Sequence, residues 1–141
     1  MKYIKYLLLL NLVYILGGMN CSVQKSNTEK TVEIGTPFQG GIVFYFFKEG
    51  DNGYRPGELH GLIATTEDQA TEIEWGCYGA QIKGANGTII GTGAQNTLAI
   101  LASCNEAGIA ARACAELVLE GYDDWFLPSK DELNLLYLNK D

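Results

Sequence analysis

The chain has 141 residues, 47% of them hydrophobic and only 19% charged. That balance excludes a disordered acidic tail, and the length leaves room for about one domain. Acidic residues outnumber basic ones 17 to 10, a net charge of −7, which argues against nucleic acid as a partner because phosphates have to be met by Lys and Arg. The only histidine, His60, excludes a three-histidine metal site within one chain.

Lys2 and Lys5 precede an apolar run, Tyr6 to Leu16, and the small residues Gly17 and Gly18 follow. A basic start, an apolar run of about 7–15 residues and a small-residue stretch is the pattern of a signal peptide, here residues 1–20. The run is short of the roughly 20 apolar residues that a spanning helix needs. Cys21 stands where a bacterial lipoprotein carries its acylated cysteine, so the expectation is an exported envelope protein held to the outer membrane through lipid on Cys21. Residues 21–36 are polar and without period and read as a tether. Without Lys2 and Lys5 the balance is 8 basic to 17 acidic residues, so the exported part is repelled by anionic surfaces.

The folded part opens with GGIVFYFF, Gly40–Phe47, a β-branched and aromatic run that reads as a buried strand. A loop rich in Gly, Asp, Asn and Pro leads to a second strand at His60–Thr65, antiparallel to the first. Glu67–Glu74 reads as a short helical turn and Thr88–Ile90 as at most a short strand. Gln95–Ser103 reads as a helix with Leu98, Leu101 and Ala102 on its apolar face, and Ala110–Glu120 as a second helix closed by Gly121. Tyr122–Leu127 is a loop entering a strand, and Pro128 ends it. Ser129-Lys130-Asp131-Glu132 is a capping box that starts a third helix at Ser129.

With Cys21 acylated, three cysteines remain. Cys114 falls on an apolar helix face and reads as a small buried hydrophobe. Cys77 and Cys104 are expected to form a disulfide; a Cys104–Cys114 bridge is the competing pairing. No enzymatic centre emerges. Gly91-Thr92-Gly93 lacks the third glycine of a dinucleotide fingerprint, and Asp51-Asn52-Gly53 is too short for a calcium loop. No local partner makes His60 a catalytic base. Glu67, Asp68, Glu72 and Glu74 read as a solvated acidic face. Trp75, Tyr78, Tyr122 and Trp125, with Asp123 and Asp124, are the candidate ligand-binding residues. Aromatic planes beside carboxylates suit sugar stacking and hydroxyl hydrogen bonds, and they equally suit packing in a satellite core.

GYDDWFLPSKDELNLLY (Gly121–Tyr137), with GGIVFYFF, HGLIA, EWGCYGA, IGTGAQNT and AARACAEL in that order, resembles the Lcl C-terminal domain family of bacterial surface proteins. The resemblance covers about Pro37 to Asn139, and the domain is placed at 37–141. It implies an α+β fold distantly similar to C-type lectins, with a small antiparallel sheet and two or three helices. It also implies a role in glycan or surface-protein binding, and it brings no catalytic residue. The G-X-Y stalk associated with the family is absent, as are the E-P-N and W-N-D signatures of true C-type lectins. The acidic balance argues against sulfated glycans. Family members continue into further strands after the DWFLPSKDELN helix, so the sheet is expected to be incomplete at the C-terminus. The expectation is therefore a non-enzymatic envelope lipoprotein with a lectin-like adhesion domain and no cofactor; the alternative is an envelope structural protein, or a degenerate fragment, without a ligand.

Overall fold

The β-branched and aromatic residues of GIVFYF favour a pleated, buried strand, and they pair as one. The computed structural model describes residues 4–8 and 31–139. In it β1 is Ile4–Leu8, β2 Pro37–Phe38, β3 Gly41–Phe46 and β4 His60–Ala64. β2, β3 and β4 form a three-stranded antiparallel sheet, as expected for the 40–47 and 60–65 segments, and β1 adds a fourth strand along the outer edge of β4, giving the order β1-β4-β3-β2. Ile4 lies opposite Ala64 and Leu8 opposite His60, so a segment read as the start of a leader is here a strand. Residues 9–30, including Cys21 and the rest of the expected leader, lie outside the described residues.

β2 has only two residues and its sequence carries no strand signal. It exists because Gln39 and Gly40 both take left-handed φ, 48° and 81°, the two-residue turn whose twist matches a hairpin. The expected tether is also shorter at its far end. Val32 packs into the core, the Gly35 N–H donates to the Val43 carbonyl at 2.8 Å, and the Val43 N–H donates to the Thr36 carbonyl at 3.0 Å. The fold thus begins ahead of Pro37.

Alternation along β4 sends Leu62 and Ile63 to opposite faces. Leu62 joins Phe44, Tyr45, Phe47, Ala64 and Phe126 in one core, and Ile63 joins Val43, Cys114 and Trp125 in the other. The register slips between Val43 and Tyr45, and this bulge lets consecutive Phe44 and Tyr45 serve the same core.

The helices are α1 Gly93–Ser103, α2 Ala110–Ala115 and α3 Lys130–Leu138. α3 contributes Leu135 and Leu136 to the Leu62 core, and α2 contributes Ala113 and Cys114 to the Ile63 core. The whole is a small α+β fold. Several expectations change. Tyr122–Leu127 enters no strand and makes only isolated bridges. α1 buries Thr97 and Ile100 rather than the Leu98–Ala102 face, and Leu98 is 62% exposed. α2 stops at Ala115 with Glu116 as its C-cap, and beyond it Glu120 and Gly121 (φ 51° and 84°) form a tight turn in which Leu119 and Tyr122 exchange both backbone hydrogen bonds. Residues 67–74 make bends rather than a helical turn, and 88–90 form no strand. α3 begins as expected: the Ser129 hydroxyl accepts from the Glu132 N–H, and the Glu132 carboxylate accepts from the Ser129 N–H at 2.6 Å. Among the described residues no helix is long and apolar enough to cross a membrane.

Candidate functional site

The WGCYG segment crosses the ends of α1 and α2 and is fixed there from three sides. Glu74 bridges to Ile109, its carbonyl accepting the Ala110 N–H at 2.9 Å. Cys77 is joined to Cys104 at the end of α1 by the expected disulfide. The Cys77 N–H donates to Glu106 Oε2 at 2.7 Å. Between these ties the chain turns sharply, with positive φ at Gly76, Cys77 and Gly79 (96°, 47° and 80°). Gly76 is required twice over, since a Cβ there would also overlap the Ile109 side chain. Beneath the loop Cys104, Ile100, Ile109 and Ala111 form a third buried cluster.

This rigid base holds two aromatic side chains outward. Trp75 is 53% exposed and Tyr78 fully so. They wall a cavity of about 550 Å³ together with Glu74, Gly76, Cys77, Gly79, Ala80 and Glu106. Trp75 also lines an adjoining hollow of about 790 Å³ running from Ala80 to Asn86, and a smaller one reaching Asn96 and Pro128. The indole is therefore the shared wall of one continuous face. Arg112 braces the site from behind, donating to the carbonyl oxygens of Cys104 and Glu106 at 3.3 and 3.2 Å. Glu106 and Arg112 were not legible as site residues; the one available signal was a carboxylate two positions from a bridging cysteine.

Of the candidate binding residues, only Trp75 and Tyr78 come together here. Tyr122, Asp123 and Asp124 lie on an exposed turn that lines none of these cavities. Trp125 is corrected to a core residue: it is 2% exposed, packs with Val43 and Ile63, and donates its indole N–H to the Tyr122 carbonyl at 3.1 Å. A ring with no exposed face cannot stack on a sugar.

The remaining chemistry-bearing residues are structural. The Gly91 N–H, which sequence placed in a phosphate-like turn, meets the chain's own Glu132 carboxylate at 2.8 Å. Asp51 accepts from the Tyr45 hydroxyl and the Lys48 N–H at 2.7 and 2.8 Å. Burial, reinforced by Asp51, pushes the Tyr45 hydroxyl up to about 12. His60 lies 2.7 Å from Glu58. Cys114 is free and buried, and burial pushes its thiol up to about 12, so it is protonated and inert at neutral pH. Comparison with family models, with curated proteins and with solved structures finds no match.

Proposed function

We propose that the chain is an exported, lipid-anchored envelope protein, of the kind its resemblance to the Lcl C-terminal domain implies, and that its domain binds neutral glycans without catalysing a reaction. The observation that carries this reading is the pairing of exposed Trp75 and Tyr78 over Glu74 and Glu106 on a disulfide-braced loop. Aromatic planes take the C–H faces of sugar rings, and carboxylates and loop amides take the hydroxyls. The loop is tied at Glu74, Cys77 and Glu106 before any ligand arrives, which limits the ordering cost of binding. The carboxylates and the net charge of −7 disfavour sulfated chains, which need a cluster of Lys and Arg.

A glycan array probed with the purified protein tests this. Neutral glycans are expected to bind, with signal lost in Trp75→Ala and Tyr78→Ala and retained in Tyr122→Ala. Silence from a protein with an intact near-UV circular dichroism spectrum would favour a structural envelope role.

A further inference from the structure

We propose that Cys77, Cys104 and Glu106 form a redox-gated site for a divalent cation of the zinc class. The two sulfur atoms and a carboxylate oxygen of Glu106 all lie within 4.8 Å of one another. Tetrahedral zinc holds such ligand atoms about 3.5–3.8 Å apart, given bonds of about 2.3 Å to sulfur and 2.0–2.2 Å to oxygen. The carboxylate therefore stands within reach of both sulfurs, and the site forms when the sulfurs part and the carboxylate closes the remaining distance. Cys104 is fully buried, whereas Cys77 stands on the half-exposed loop, so the movement falls to Cys77.

The surroundings also suit a metal. Glu106 receives the Cys77 N–H on Oε2, an outer-shell hydrogen bond that orients a ligating carboxylate while leaving Oε1 for the ion. Arg112 holds the carbonyls on both sides of the Cys104–Glu106 segment. The fourth position opens into the cavity of about 550 Å³ that Cys77 and Glu106 line, where a water completes the tetrahedron. Two thiolates select a borderline or soft ion over calcium or magnesium.

The chemistry balances as two steps. A dithiol reductant gives two electrons and two protons to the Cys77–Cys104 bond, yielding two thiols and the reductant's own disulfide. The cation then displaces both thiol protons to water and forms two metal–sulfur bonds and one metal–oxygen bond. The oxidised Cys77–Cys104 pair has no thiolate to offer, so the disulfide excludes the ion. The site shares Glu106 and the cavity with the proposed glycan site, but its test needs neither Trp75 nor Tyr78, so failure of glycan binding leaves it standing.

Cobalt(II) titrated into the full-length protein, before and after reduction with a phosphine, tests it. The reduced protein is expected to take one equivalent with a thiolate-to-cobalt charge-transfer band and tetrahedral visible bands, and the oxidised protein to show neither. Glu106→Gln is expected to weaken binding at least tenfold. If reduction alone abolishes the near-UV circular dichroism, zinc is expected to restore it, because metal binding then becomes folding free energy. The proposal is overturned by a folded reduced protein without the band, by an unfolded one that zinc does not restore, by equal binding when oxidised, or by a band that Glu106→Gln leaves unchanged.

Discussion

Glu132 and Gly91 stand 41 residues apart in sequence, yet the Glu132 Oε1 accepts the Gly91 N–H at 2.8 Å inside the protein. The same carboxylate, 0% exposed, accepts the Ser129 N–H through its other oxygen. One side chain thus caps α3 and staples the 87–93 loop to it. Glu132→Ala removes the acceptor of two buried N–H donors, at about 1–3 kcal/mol each, and is expected to destabilise the fold by about 2–6 kcal/mol in urea unfolding. Glu132→Gln, which keeps acceptor capacity on one oxygen, is expected to cost less.

Replacing Cys77 and Cys104 together by Ala is expected to lower stability by about 3–4 kcal/mol, the chain-entropy estimate for a loop of this length, here a sequence separation of 27. Denaturant titration of the oxidised wild type against the double variant checks the figure. Cys114 is expected to resist iodoacetamide at pH 8 until the protein is unfolded, as mass spectrometry of alkylated peptides would show.

The fold should loosen in alkali. The Tyr45 hydroxyl and the Cys114 thiol are both raised to about 12, from ordinary values of 10.0 and 9.0. Below about pH 8 both are protonated in the folded and unfolded chains, and their contribution is complete. Between about pH 8 and 12 it is mainly the unfolded chain that ionises, so stability falls as pH rises. Cys114→Ala is expected to flatten the lower part of this fall, read as the midpoint of urea unfolding from pH 8 to 11.

Gly76→Ala is expected to disturb the WGCYG loop and the cluster beneath it, because the new Cβ meets both a φ of +96° and the Ile109 side chain. A loss of about 1–3 kcal/mol from the strained backbone alone is checked by thermal unfolding. Trp125→Ala should cost about 3–5 kcal/mol through its cavity.

Membrane attachment is tested apart from the fold. Fractionation of cells expressing Cys21→Ala is expected to move the protein from the membrane to the soluble exported fraction.

The antiparallel β3–β4 pair was legible because its residues are β-branched or aromatic, and the start of α3 because a capping box is a local reciprocal device. The Cys77–Cys104 bridge followed from Cys114 occupying an apolar helix face. The buried face of α1 was not legible: Thr97 reads as polar, yet its hydroxyl donates to the Gly93 carbonyl at 2.9 Å and accepts the Leu127 N–H at 3.0 Å, so it is buried at little cost. The end of α2 was hidden because Leu117 and Leu119 continue the apolar pattern while packing in non-helical backbone. In the site, Trp75 and Tyr78 were separable from Trp125 only by tertiary burial, which local composition does not encode.

The placement of Ile4–Leu8 along β4 has a consequence for timing. Those residues cannot lie in a sheet and thread a secretion channel at once. If the chain is exported as proposed, its passage has to be completed before this edge of the sheet closes.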